Sequence, residues 1–534
     1  MENIVCGSAP YHAPKFKIYQ VDNPGVYQAN NLSSGGSLAG WTPYALKYRI
    51  EPDKPTREMT LEVAVQCCKG TLRVCNLSLA FEPPAPSQAF PYTVPTKIEA
   101  SISIASAERR PFDPNLLGVN SHFASDGHLS YSHPEVQALI ARWRVPLIRF
   151  PGGTVANWYD FTTDRFKFPP ADEPFPPRGW NASPTRDFGF PAYATLCKQH
   201  GITSIQVFNI IQDSPEQSAE RLRRLKASGI RVPWIELGNE NSDAHQRGSA
   251  MPDLAAYIAK TKAICRALKA VDPQVLLAVN IDHPKDEWAK ALAKESYFDA
   301  VVMHPYVFLG EKDFAGAIDP MMLRTLLAAY RIEVGQLGAY REIFGRKPLL
   351  LSEWGVVVPG SLQFNMATTL ATADMFYAIL DAAEEGPVQM ASLHIFVGGF
   401  MGLAYAGKGG HLQKRSYGVF YEMLLEACLD ADLYLARSAS PELAPGLPAL
   451  QARALLGKDG KRRLWAVNKC PVAGTLQVSV DGQPYAGAWR ASQYSQTNLH
   501  LRMEYPLDTD PRTTTVGSGV ISLAPYSLSV VTLD

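Results

Sequence analysis

Between residues 112 and 428, short apolar runs alternate eight times with longer segments whose apolar residues recur at helical spacing. Strand followed by helix followed by strand is how a parallel sheet is built, because each crossover returns the chain to start the next strand in the same direction. The expected strands are 116–123, 147–150, 204–210, 234–240, 275–281, 300–306, 348–354 and 392–397. Helix-like segments fall between them, among them 134–144, 188–200, 215–228, 253–271, 320–344 and 365–385, with a last one at 417–427. This pattern predicts an α/β fold, a (β/α)₈ TIM barrel. An open doubly wound sheet is the competitor, but no Gly-x-Gly-x-x-Gly turn follows an early strand.

The flanks read differently. Residues 1–105 form a β-rich N-terminal domain in this reading, with strands at 15–19, 45–50, 59–65, 71–81 and 97–104 and a Pro-rich stretch over 83–95. A structural cap is preferred for it over a carbohydrate-binding module. Residues 106–428 are the barrel. Residues 429–534 return to short strands at 463–468, 474–480, 519–523 and 527–533, read as a C-terminal β-sandwich. Lys plus Arg equals Asp plus Glu at 51 each, which removes the electrostatic footprint of a nucleic-acid partner. No run approaches the ~18 apolar residues of a membrane span. The start Met1-Glu2-Asn3 lacks the basic and apolar regions of a secretory signal, so the chain as written reads as cytoplasmic, and as secreted if a signal has been removed. Eight scattered cysteines do not make a disulfide scaffold, and Cys67, Cys68 and Cys75 lack a fourth ligand at zinc spacing. No metal or other cofactor is expected, and the oligomeric state is open. Asn31 and Asn76 begin N-x-Ser sequons, which carry little weight in a cytoplasmic chain.

In such a barrel the C-terminal strand ends carry the chemistry. Here they read Asn120-Ser121-His122, Arg149-Phe150-Pro151-Gly152-Gly153, Asn209, Asn239-Glu240, His304-Pro305-Tyr306, Ser352-Glu353-Trp354 and His394. Six or seven polar strand ends on one rim exceed what core satisfaction explains. Glu240 and Glu353 form the sharpest pair, ending strands four and seven on opposite sides of the mouth. Retaining glycoside hydrolysis needs two such carboxyls ~5 Å apart, one protonated to assist the leaving oxygen and one ionised to attack the anomeric carbon. Glu236 shares the side-chain face of Glu240 but lies deeper, and a structural pairing with a basic residue is expected for it.

Gly238-Asn239-Glu240 and Ser352-Glu353-Trp354-Gly355 resemble the two catalytic motifs of clan A glycoside hydrolases. Arg149-Phe150-Pro151-Gly152-Gly153 resembles the Arg-(Tyr/Phe)-Pro-Gly-Gly signature of the α-L-arabinofuranosidase family within that clan. The resemblance implies Glu240 as acid/base and Glu353 as nucleophile. It also implies Asn239 on the sugar 2-hydroxyl, Arg149 holding Glu353 ionised, Tyr306 orienting it, and a Gly152-Gly153 turn close to substrate. His304, Asn120, Asn157, Trp158, Trp354 and His394 complete the expected substrate-binding set, with His122, His411, Arg415 and Phe396 as further candidates. After Gly153 and after Glu240 the chain departs from the arabinofuranosidase pattern, which leaves xylosides, glucuronides and β-glucans open beside arabinofuranosides, and endo beside exo action. The expected partner is therefore a carbohydrate. Two other classes stand beside this reading: a non-catalytic carbohydrate-binding protein, and a metal-dependent hydrolase or aldolase using His122, His304 and His394.

Overall fold

The computed structural model describes residues 93–121, 132–166, 189–247, 251–308, 318–358, 363–398, 401–407, 409–499 and 501–534, together with short strands within the first 69 residues. Eight strands run parallel and close into a barrel: β1 (Gly118–Asn120), β2 (Leu147–Phe150), β3 (Thr203–Phe208), β4 (Trp234–Leu237), β5 (Leu277–Ile281), β6 (Ala300–Met303), β7 (Leu349–Val357) and β8 (Val388–Leu393). Each pairs with the next, and β8 pairs back to β1 through Ser392–Gly118 and Leu393–Val119. The main helices are α1 (Pro134–Trp143), α2 (Phe190–His200), α3 (Pro215–Ser228), α4 (Leu254–Val271), α5 (Glu287–Leu292), α6 (Ile318–Phe344), α7 (Met366–Glu385) and α8 (Ser416–Cys428).

The strand sequences explain the closure. Strands covered on both faces read as continuous apolar runs, and alternate residues serve different cores. Leu147, Ile205, Ala278, Ala300, Val302, Leu350 and Met390 form an apolar plug inside the barrel. Their alternates, among them Ile148, Phe208, Ile235, Val279, Val301, Leu351 and Leu393, join the larger core beneath the helices. Local signals set the helix ends. Ser214 and Gln217 make a reciprocal capping box at the start of α3, and Gly229 in the left-handed region ends it. The expected sixth strand over 300–306 is interrupted: β6 ends at Met303, and Tyr306–Phe308 forms a separate strand against Gly355–Val357 of β7. Pro305 between them has no N–H to donate to a ladder.

The rest of the described chain is β-rich. An eleven-stranded sheet contains the expected strands Arg462–Asn468, Gly474–Val480, Ile521–Leu523 and Ser527–Leu533. It also contains Ile98–Ile104, which pairs in parallel with Gly474–Val480 along its whole length. This corrects the grouping of residues 1–105 as one unit, since that strand belongs with the closing sheet. A sequence reading places a strand with its chain neighbours, whereas this one pairs with a partner about 375 residues away. The strand Ala431–Ala439 pairs with Arg109–Pro111 and Leu450–Gly457, and its end pairs with Ile98–Ile104. Residues from both arms of the sheet, including Ile98, Ile102, Leu464, Ala466, Leu476 and Val531, meet in one core. Of the earlier strands, Lys15–Gln20 lies between Asn23–Asn31 and Met59–Ala64 in a small antiparallel sheet. The strands expected at 45–50 and 71–81 lie outside the described residues. Cys197, Cys265, Cys428 and Cys470 are free and buried. Among the described residues no helix is long and apolar enough to cross a membrane.

Candidate active site

Above the apolar plug, the same inward-facing positions turn polar. Leu147 is followed two residues on by Arg149, Trp234 by Glu236, Ala278 by Asn280, Val302 by His304, and Gly118 by Asn120. In β7 strict alternation after Leu350 and Ser352 would turn Glu353 outward. The register of β7 against β8 shifts between Leu351 and Trp354, and this irregularity turns Glu353 inward.

Arg149 is the hub. Its guanidinium is fully buried and reaches Glu236 at 2.7 Å, Glu353 Oε1 at 2.6 Å and Asn239 Oδ1 at 2.9 Å. The basic partner expected for Glu236 is therefore Arg149. Glu353 Oε2 accepts from the Tyr306 hydroxyl at 2.7 Å, and His394 Nδ1 lies 3.5 Å from the same oxygen. Burial alone would raise the Glu353 carboxyl. The charges of His394, His304 and Arg149 and the Tyr306 hydrogen bond outweigh that and hold it well below the usual carboxylate range. Burial, with the Glu353 charge beside it, pushes the Tyr306 hydroxyl well up, so it stays a proton donor. His394 Nδ1 also lies 3.1 Å from Asn120 Nδ2.

Glu240 lies three residues beyond β4 and is more open, with its side chain 29% exposed against 6% for Glu353. The turn that carries it depends on Gly238 at φ +84°, where a Cβ would fall 1.8 Å from Asn241 Oδ1. Glu240 itself is left-handed at φ +48°, an uncommon conformation for a residue with a side chain. Its Oε1 meets His304 Nδ1 at 2.9 Å and its Oε2 accepts from Gln246 Nε2 at 3.0 Å. His304 Nε2 meets Ser352 Oγ at 3.0 Å, so the ring is held at both nitrogens. Burial would lower the His304 pKa, but the charge of Glu353 and the bond to Glu240 leave it raised. One oxygen of Glu240, one of Glu353 and one nitrogen of His304 all lie within 4.8 Å of one another. Those atoms are spaced for a metal ion, yet each residue is already committed to hydrogen bonds, and the Arg149 cation sits against Glu353.

The structure thus gathers Glu240, Glu353, Asn239, Arg149, Tyr306, His304, Asn120 and His394 at one rim. It corrects three expected sugar contacts. Trp354 is 1% exposed and stacks on Phe376 of α7 at 6.2 Å, because the register shift that turns Glu353 inward turns Trp354 outward. Trp158 ends the short 3₁₀ turn Thr154–Trp158 and joins the apolar core. Asn157 is fully buried and clamps backbone: its Nδ2 donates to Asn239 O at 2.8 Å and its Oδ1 accepts from Asn239 N at 3.0 Å. Gly152 also has a different reason than expected. At φ +80°, the place of a Cβ is taken by Asn120 Oδ1 at 2.3 Å and Ser121 O at 2.4 Å, so the glycine admits β1 rather than substrate. Phe396 is buried edge-on to Trp143. Arg415 lies between Phe364 and Tyr405, and His411 is exposed beside Glu135. His122 lies outside the described residues. Sequence reasoning missed Gln246 and Ser352 as partners of this group; Ser352 could have been found from its inward parity with Leu350.

The sequence matches no protein-family model, and no curated protein matches it. Solved structures do. A GH51 arabinofuranosidase from Xanthomonas axonopodis pv. citri aligns with TM-score 0.63 at 17% identity, over 82% of this chain and 100% of that one. A family 51 α-L-arabinofuranosidase from Bifidobacterium longum aligns with TM-score 0.61 at 18% identity, over 83% and 100%. This chain shares their fold. A 4-O-α-L-rhamnosyl-β-D-glucuronidase from Fusarium oxysporum also aligns, with TM-score 0.55 at 14% identity over 81% and 100%. At these identities the likeness is one of architecture, a closed parallel barrel accompanied by a β-rich sheet.

Proposed function

We propose that this protein is a retaining glycoside hydrolase of clan A, arabinofuranosidase-like, with Glu353 as nucleophile and Glu240 as acid/base. The observation that carries the reading is the pair itself: oxygens of the two carboxyls within 4.8 Å, one of them held ionised by Arg149 and Tyr306. Double displacement uses carboxyls about 5–5.5 Å apart, whereas inversion needs about 6.5–9.5 Å to admit a water. In the first step a Glu353 oxygen attacks the anomeric carbon as the glycosidic C–O bond breaks, and the Glu240 proton passes to the leaving oxygen. In the second, a water gives its proton to Glu240 and attacks the same carbon, releasing Glu353. Two inversions at that carbon leave the configuration retained. Asn239, already bonded to Arg149 through Oδ1, keeps its Nδ2 for the sugar 2-hydroxyl, a contact that strengthens as charge develops.

The test is a panel of aryl glycosides spanning α-L-arabinofuranoside, xyloside, glucoside, galactofuranoside and glucuronide, the last prompted by the substrate named for the Fusarium oxysporum protein. Turnover of one member, lost in Glu353→Ala and partly restored by azide with inverted product, is the expected outcome. Full activity in Glu353→Ala would overturn the nucleophile assignment. Sugar binding by calorimetry without turnover of aryl glycosides or longer oligosaccharides would favour a non-catalytic binder.

A further inference from the structure

Gln246 is not part of any recognised motif, yet it holds the Glu240 carboxyl. It sits in the short helix Ala244–Arg247 and is 7% exposed. Its Nε2 donates to Glu240 Oε2 at 3.0 Å and to Thr154 Oγ1 at 2.9 Å, which uses both amide hydrogens. The orientation of that amide follows from its neighbours. Asn157 is fixed by the backbone of Asn239, so its Nδ2 must be a donor, and this donor faces Gln246 O at 3.1 Å and Gln246 Oε1 at 3.4 Å. Turning the amide over would set two N–H groups against each other. Gln246 is therefore a permanent donor to Glu240 Oε2. The other oxygen, Oε1, faces His304 Nδ1, which can donate or accept according to its tautomer.

We infer that Gln246, braced by Thr154, is a positioning residue for proton transfer. It fixes the rotation of the Glu240 carboxyl and reserves Oε2 as an acceptor, which leaves the transferable proton to Oε1. The clamp also joins two loops, because Thr154 and Asn157 follow β2 whereas Glu240 and Gln246 follow β4. This rests on Glu240 being the acid/base of the proposed reaction.

The test compares two substrates with the same sugar, beginning with α-L-arabinofuranosides: one with a 2,4-dinitrophenyl leaving group, which departs without a proton, and one with an unsubstituted phenyl group, which needs it. In Gln246→Leu, kcat/KM on the phenyl glycoside should fall about 10–100-fold, part of the hundredfold or more that general acid catalysis supplies. On the dinitrophenyl glycoside, kcat and KM should fall together with kcat/KM changed at most a few-fold, because attack is spared and only hydrolysis of the glycosyl-enzyme slows. Azide should then restore kcat. Thr154→Val, close in shape, should give the same pattern more weakly, and it decides the matter if Gln246→Leu does not fold. An equal fall in kcat/KM on both substrates, or no fall on either, overturns the inference. Full turnover in both Glu240→Gln and Glu353→Gln would instead overturn the glycosidase reading beneath it.

Discussion

Arg149 shows how one side chain sets the electrostatics of a site. It is buried against Glu236 and Glu353, so one guanidinium serves two buried carboxyl groups, with His394 and His304 adding to its effect on Glu353. Breaking such an arrangement from one side leaves uncompensated charge and costs about 3–5 kcal/mol. Arg149→Met should lower stability by that order and activity by at least about a hundredfold, as for loss of a preorganised electrostatic group. It should also move the pH profile in a definite direction. The nucleophile must be ionised, so activity disappears as pH falls through the Glu353 pKa, which Arg149 helps hold down. Without the cation that pKa rises, and the acidic limb of kcat/KM should shift to higher pH. An acidic limb that stays in place while kcat falls would make Arg149 a scaffold only. At this scale the sequence pointed to the polar residues at the barrel strand ends, but not to the buried places of Asn157 and Trp158 just beyond β2. The structure brings Glu240, Glu353, Arg149 and Tyr306 together, although alternation along β7 alone would have turned Glu353 away from the other three. Nor was the sequence legible for Gln246, six residues past Glu240 in a loop, whose partners are set by the path of another loop.

Among the elements, β7 and α6 each break a local rule. In β7 a two-residue period misassigns both Glu353 and Trp354, because the shift in register between Leu351 and Trp354 is a property of its pairing with β8. No feature of Ser352-Glu353-Trp354 announces it. In α6, Glu333 is fully buried, and among the described residues neither carboxyl oxygen has a hydrogen-bond partner. Burial pushes this carboxyl up to about 8. The unfolded chain gives up the proton near the ordinary glutamate value of about 4.3. Between these values the folded state holds a proton that the unfolded state has released, so stability is full below the lower value and declines as pH rises through the upper one. Glu333→Met, similar in volume and apolar, should melt at higher temperature than the parent at pH 8, with the gap narrowing toward pH 5. Thermal melts of both proteins across that range would reveal a group that titrates normally in the folded state, because the gap would then not change with pH.

The two large bodies of the molecule are tied at more levels than their chain order implies. Ile98–Ile104 leaves for the eleven-stranded sheet before the barrel begins, and Ala431–Ala439 returns to that sheet after the barrel ends. Trp465, Val467, Leu528 and Val530 of the sheet share one apolar core with Phe420 and Met423 of α8 and Phe376 of α7. Polar groups cross the same boundary. Tyr377 donates to Trp465 O at 2.7 Å, Arg453 reaches Asp381 and Glu384 at 2.7 Å each, and Lys469 meets Asp374 at 2.8 Å with both side chains fully buried. Gln451 also donates to Asp374, so the carboxylate is held by two groups of the sheet. Burial raises the Asp374 pKa, and the Lys469 charge opposes that rise. A sequence reading sees the sheet as an appended module, because the change of texture near residue 429 is local and the pairings are not. The physical consequence is cooperative unfolding. Neither body can lose its structure without exposing the shared core and leaving charges such as Asp374 or Lys469 buried and unpaired, so calorimetry should show one transition. Asp374→Ala leaves Lys469 buried without its carboxylate partner and should cost about 3–5 kcal/mol, lowering that single transition while keeping it single. Two transitions, with only one moved by the substitution, would mean that the sheet folds independently of the barrel and that the boundary contacts are incidental to its stability.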